Sequence, residues 1–322
     1  MRIRPRFLTL FLFFFLNLSC TRGSNESNIK NLTIYGLKGS PGVGIIRLFE
    51  TPPQIKGFNV KAEALPQADL MAARFIAGEV QIGILPPNMA AKIASSGKDI
   101  RAAAVIGEGM LSLLSADPNI RKIEDLRGKT VVLHGQGATP DYVFQKILRS
   151  YGLIPNIDVS LSYVLTAPEI AQSIIADRVS FALLPEPFAT MALLGRPDLI
   201  LVSDIQEEWA KAEGIGNYPM TLLVVDGSFA SANAEAVTEI LNTVRASIEW
   251  VRTYPAEAGD LVEKYELGMS AAVVTAAVPR SNYVFIPAAE ARPSLEALFK
   301  VFLEYAPISI GGVLPEDRFY LK

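Results

Sequence analysis

Cysteine and histidine are almost missing: the 322 residues contain one of each. A zinc centre normally takes three or four His, Cys or carboxylate ligands, so a His/Cys-rich metal site is excluded. A disulfide within the chain is impossible. Basic residues are in no excess either, with 30 Lys and Arg against 33 Asp and Glu, a net charge of -3 and a pI of about 5.5. Contacts to a phosphate backbone need clustered Lys and Arg, so no nucleic-acid partner is expected. The P-loop pattern GxxxxGK followed by Ser or Thr occurs nowhere, which removes that mode of nucleotide binding. What is present is a hydrophobic fraction of 50% with 23 Gly and 21 Pro. That composition excludes a disordered or collagen-like chain, and the length suffices for one large domain or two medium ones.

The first twenty residues read as a segment apart from the fold. Arg2, Arg4 and Arg6 form a positive stretch, and Phe7 to Leu16 is an apolar run of about ten residues. A membrane-spanning helix needs roughly 20, so a secretory signal is expected over 1–19. Leu18, Ser19 and the single Cys20 resemble the lipobox of bacterial lipoproteins, although Asn17 stands where an aliphatic residue is common. The resemblance implies cleavage before Cys20 and its acylation; the alternative is an ordinary signal peptide or an uncleaved anchor. The polar stretch 20–30 then serves as a tether. Loss of the three Arg leaves the mature part at about -6.

Beyond Asn31, short apolar runs alternate with helical stretches, the pattern of βαβ units around a parallel sheet. The order occurs twice. The stretch from Ile76 to Pro86 aligns without gaps with that from Ile175 to Pro185, at an offset of 99 residues. Gly39-Ser40-Pro41 faces Gly137-Ala138-Thr139 at an offset of 98. Two lobes of one architecture follow. From Asn233 the chain reads as helical over 233–254, 256–267, 270–278 and 290–305, and is expected to pack on the first lobe. Leu111–Asp117 and Tyr218–Val225 are the expected crossings, a hinge of two extended segments.

Ligands of open parallel sheets sit beyond the carboxyl ends of the strands, which singles out the loops 38–42, 86–88, 135–139 and 185–187. The candidate binding residues are Lys38, Gly39, Ser40, Pro87, Asn88, Gly137, Thr139, Glu186 and Tyr218. Helix N-termini at the Gly39 and Gly137 loops offer free N–H groups; Ser40 and Thr139 could equally be plain helix caps. Glu186 is read as an acceptor for a ligand N–H or hydroxyl, or as a solvated loop carboxylate. Asp141 and Glu108 are weaker acidic candidates. Lys38 is the one basic residue of the four loops, and Tyr218 is a ring for stacking or for packing. Gly135-Gln136-Gly137 lacks the third Gly of a dinucleotide fingerprint, because Pro140 takes its place. His134 has no nucleophile partner in the pattern. No catalytic residue, metal ligand or cofactor is assigned.

These residues together resemble a family. Asp125-Leu126-Arg127-Gly128-Lys129 matches the phrase DLxGKxV, and Ala176 to Pro187 matches xGxVDxAxxxEP, with Asp177 for the Gly and Ser180 for the Asp. Both are similar to substrate-binding proteins of ATP-binding-cassette importers, in the nitrate/sulfonate/taurine and thiamine-pyrimidine-precursor group. The resemblance covers roughly 31–322. It implies an α/β, two-lobed periplasmic-binding-protein fold of type II-like form, each lobe a mainly parallel sheet flanked by helices, with two hinge crossings. Lobe 1 would comprise 31–115 plus 224–322, and lobe 2 116–223. It also implies a monomeric receptor, lipid-anchored to the cell membrane and facing the periplasm or exterior. Such a receptor takes a small ligand, a flat heterocycle with N–H donors or a small organic anion, and delivers it to a permease and ATPase. The alternatives are a cytosolic-type lyase or dehydratase on the same fold, or a ligand-sensing lipoprotein.

Overall fold

A computed structural model describes residues 29–322. The signal segment, Cys20 and most of the tether fall outside the described residues.

The first half-sheet is laid down as β1 (Lys30–Leu37), the short helices α1 (Ser40–Val43) and α2 (Arg47–Glu50), β2 (Phe58–Leu65), α3 (Ala68–Ala77), β3 (Ile82–Leu85), α4 (Pro87–Ser95) and β4 (Ile100–Glu108). The chain then crosses and builds β5 (Leu111–Ser115), β6 (Thr130–Leu133), α5 (Thr139–Ser150), β7 (Ser160–Ser162), α6 (Ala167–Ile175), β8 (Phe181–Pro185), α7 (Phe188–Gly195), β9 (Ile200–Asp204) and α8 (Ile205–Glu213). It returns through β10 (Pro219–Asp226), α9 (Gly227–Ala232), α10 (Ala234–Thr253), α11 (Pro255–Lys264), α12 (Ala271–Ala277), β11 (Tyr283–Pro287) and α13 (Ala288–Tyr305).

Two sheets result, ordered β2-β1-β3-β10-β4-β11 and β7-β6-β8-β5-β9. Omitting the edge strand β11, the orders are the same, strand for strand. In the first sheet β1 to β4 share one direction, with β10 and β11 reversed. In the second, β6 to β9 share one direction and β5 alone is reversed. The mainly parallel sheets and the repeat expected from the sequence are therefore present. The register at the first loop differs from that expectation. Ser40-Pro41 opens α1 and Thr139-Pro140 opens α5 at the same helical positions, which is an offset of 99 and not 98. Helices α1 and α2 are separated by a turn over 44–46, whose Ile45 and Ile46 are fully buried.

The interior reversed strand of each sheet, β10 in the first and β5 in the second, is the one that has just crossed from the other lobe. The sheets hand over at Gly109-Met110 and at 214–218. The expected boundary after 115 thus leaves β5 with the wrong lobe, and the one before 224 cuts through β10. β5 belongs to the second sheet and β10 is central to the first, so the extended segments are parts of the sheets and the crossings themselves are short.

One apolar core runs through the first lobe and continues under one face of the second sheet, where Val143, Phe144, Ile147 and Leu148 of α5 are fully buried. Each such side chain contributes roughly 1.5–3 kcal/mol over exposure. A smaller cluster, with Ile170, Ile174, Leu184 and Ala189, fills the other face beneath α6 and α7. The lobes also touch away from the crossings. Tyr142 of α5 stands edge-on to Phe302 at 5.3 Å and lies over Tyr305 at 5.9 Å and 12°, and α7 meets α12.

Candidate functional site

The loops after β1, β3, β6 and β8 open helices α1, α4, α5 and α7, so all four lie at the carboxyl ends of parallel strands. Gly39 (φ 85°) and Gly137 (φ 75°) take left-handed backbone that other residues resist. Neither Ser40 nor Thr139 acts as a cap: each is the first helical residue, behind Gly39 and Ala138, and neither helix has a side-chain cap bond. Their hydroxyls are left for other partners.

Ser40 uses its hydroxyl across the site, 3.2 Å from Met110 Sδ and 3.2 Å from Tyr283 Oη. Glu186 arrives at the same Met110 from the second lobe, its backbone N–H donating to the Met110 carbonyl at 2.9 Å. Its carboxylate is not solvated, contrary to one reading of the sequence. The residue is 1% exposed, Oε1 accepts from Arg280 Nε at 2.9 Å and Oε2 from the Thr190 N–H at 3.0 Å. Arg280 belongs to the first lobe, so this ion pair bridges the lobes. Burial pushes the Tyr283 phenol up to about 12, and the charge of Glu186 adds to that.

The second loop of the far lobe is held by another buried carboxylate. Asp141, 3% exposed, accepts from the Gly137 N–H at 2.8 Å, from Tyr163 Oη at 2.6 Å and from Gln145 Nε2 at 2.7 Å. Burial raises the Tyr163 phenol, and Asp141 reinforces the shift. His134, at the end of β6, is pushed down by burial and stays neutral at pH 7. Seven enclosed side-chain polar atoms among the described residues have no partner, and four stand at these strand–helix junctions: Asn88 Oδ1, His134 Nε2, Thr139 Oγ1 and Thr190 Oγ1. An enclosed polar atom without a partner costs roughly 1–3 kcal/mol, so these loop ends call for hydrogen-bond partners from outside the chain, water or a ligand.

The structure thus joins Ser40 and Glu186 through Met110, and places Pro87, Asn88, Gly137 and Thr139 at matching sheet edges by topology. Lys38 is exposed and makes no ion pair among the described residues. Tyr218 is not a ring open to a ligand. It is fully buried at the hinge, 5.3 Å from Trp209 in an edge-on pair, with its hydroxyl donating to Gln206 Oε1 at 3.1 Å. Sequence reasoning missed Arg280, Tyr283, Met110 and Thr190. The run Tyr283 to Ile286, aromatic and β-branched between Pro279 and Pro287, carried the signal for β11; the expected helices 270–278 and 290–305 leave 279–289 between them with no strand assigned there.

Solved structures share this fold. An ABC transporter protein from Parabacteroides distasonis is 24% identical, with 92% of this chain and 99% of that one covered and a TM-score of 0.76. The periplasmic aliphatic sulphonate binding protein SsuA of Escherichia coli is 16% identical, at 91% and 92% coverage and a TM-score of 0.71. The alkanesulfonate-binding SsuA of Xanthomonas axonopodis pv. citri, bound to MOPS, is 15% identical, at 89% and 95% and 0.65. No curated protein matches the chain. The family model "NMT1/THI5 like" matches residues 56–258, from the first sheet through the second lobe and back into α11; the chain belongs to the NMT1/THI5-like family.

Proposed function

We propose that the protein is an extracytoplasmic solute receptor, which takes a small molecule between its lobes and presents it to an ATP-binding-cassette permease and its ATPase. The observation that carries this reading is the set of unpaired enclosed polar atoms at Asn88, His134, Thr139 and Thr190. They lie on both lobes, at the strand ends where open α/β sheets hold ligands, across a hinge of two short crossings. The fold neighbours, one described as an ABC transporter and one as a periplasmic aliphatic sulphonate binding protein, support the same reading. The candidate residues Lys38, Gly39, Ser40, Pro87, Asn88, Gly137, Thr139 and Glu186 form the proposed surround, with Arg280, Tyr283 and Thr190 added. The proposal assigns no catalysis. The N-terminal segment fits it, since export and acylation at Cys20 would hold the receptor at the membrane.

The test is native mass spectrometry of the folded protein for a carried small molecule, followed by thermal melting and small-angle scattering with that molecule. Binding to the folded state raises the melting temperature by mass action, and closure reduces the radius of gyration. A protein that carries no small molecule and changes neither property refutes the receptor reading.

A further inference from the structure

Two helices of the second lobe start at the proposed site, α5 with twelve residues and α7 with eight. Their N-termini are the natural seats for an oxyanion, because first-turn N–H groups and the helix dipole both favour negative charge. Both already carry a carboxylate from within the chain. At α5, Asp141 sits in the first turn and holds the Gly137 N–H at 2.8 Å. At α7, Glu186 accepts the Thr190 N–H at 3.0 Å. The two carboxylates are 3% and 1% exposed. Glu186 is paired with Arg280 at 2.9 Å, whereas Asp141 has no cation among the described residues; its three partners are an amide N–H, a phenol and a carboxamide.

At this end of the second lobe the charge is therefore two carboxylates, one of them engaged by the Arg280 guanidinium, while Lys38 on the facing lobe is exposed and pairs with neither. Beside them Thr139, 3% exposed, keeps an unpaired Oγ1 in the same turn as Asp141, and Asn88, 8% exposed, keeps an unpaired Oδ1 on the facing lobe. The Asn88 oxygen is an acceptor that a ligand N–H or O–H satisfies and an oxyanion cannot. An oxyanion entering here would meet an uncompensated buried carboxylate, and like charges at short range in a water-poor site repel strongly.

We propose that Asp141 is a specificity-determining residue, which makes the site reject sulfonates and other oxyanions and accept an uncharged or cationic ligand that donates N–H hydrogen bonds. This rests on the receptor reading above and narrows its ligand.

Two measurements test it. In the first, wild-type protein purified in sulfonate-free buffer is titrated calorimetrically with ethanesulfonate and with MOPS, while native mass spectrometry identifies the molecule it carries. The expected result is no sulfonate binding at millimolar concentration and a carried molecule with at least one N–H and no net negative charge. Micromolar binding of either sulfonate, or a carried sulfonate, carboxylate or phosphate, overturns the inference and leaves the receptor reading standing. In the second, Asp141→Asn keeps an acceptor for Gly137 and removes the charge, and is expected to bind ethanesulfonate at least tenfold more tightly than wild type. A folded Asp141→Asn with unchanged sulfonate affinity overturns the role given to Asp141. If the variant does not fold, the wild-type titrations decide alone. A protein that neither carries nor binds a small molecule of any charge sinks the receptor reading, and this inference with it.

Discussion

Replacing Glu186 by Ala tests whether the interlobe carboxylate is structural as well as a site residue. The side chain is almost wholly enclosed and makes two hydrogen bonds, one to a backbone N–H in the first turn of α7 and one to a guanidinium. Its removal leaves the Thr190 N–H buried without an acceptor, a loss of roughly 1.5–3 kcal/mol for a bond to a charged group. The Arg280 side chain is 41% exposed, so it turns to water, and the ion pair adds at most about 1 kcal/mol. The expected total is about 1.5–4 kcal/mol. At roughly 2–4 °C per kcal/mol, the figure for domains of 150–250 residues, the melting temperature should fall by about 3–16 °C. Glu186→Gln, which keeps an oxygen for the Thr190 N–H, should lose about half as much. Urea titrations followed by the fluorescence of Trp209 and Trp250, alongside calorimetric melting, measure both variants. A Glu186→Ala protein melting within a degree of wild type would refute the argument, since a solvated loop carboxylate costs nothing to remove.

Gly109→Ala should destabilise by more than about 2 kcal/mol, the range for overpacking. A methyl group there overlaps the buried Tyr218 ring and stands 2.6 Å from Asn217 Oδ1; an unchanged urea midpoint would dismiss the crowding. His134 makes stability fall with acid. Its folded pKa lies below the unfolded value of 6.5, so the unfolded chain binds more protons and stability is lost as pH drops through 6.5; in His134→Gln that slope should flatten, measured by urea midpoints across this range. Cys20→Ala should abolish labelling by a fatty-acid analogue and release the protein from membranes, and an unlabelled, soluble wild type would end the lipoprotein reading.

The lobes were legible because alternation of strand and helix is written locally, and because the stretches ending in Pro86 and Pro185 share one spacing. Glu186, Asn88, Ser40 and Thr139 could be nominated on the same ground, as residues just past strand ends. Their chemical state could not be read. The partner of Glu186 is Arg280, 94 residues away, and no local pattern announces such a pair. Tyr218 illustrates the opposite error: an aromatic ring at a crossing looks available in sequence, yet Trp209 and Gln206 enclose it. The crossings were misplaced because β5 and β10 are apolar runs like any buried strand, and only pairing reveals which sheet claims them.

The exchange of β5 and β10 also sets the order in which the molecule can be completed. Every strand of the second sheet comes from the unbroken stretch 111–204, so that lobe has its parts as soon as it leaves the ribosome or a translocation channel. The first sheet does not: β10 sits between β3 and β4, so those two strands stay unjoined until residues 219–226 emerge. The N-terminal third, made first, is thus finished last. Pulsed proteolysis of chains truncated near residue 217 and released from the ribosome should reveal a protected core from 110 onward and a susceptible segment before it. A chain so arranged keeps its leading portion open while the rest is still being made.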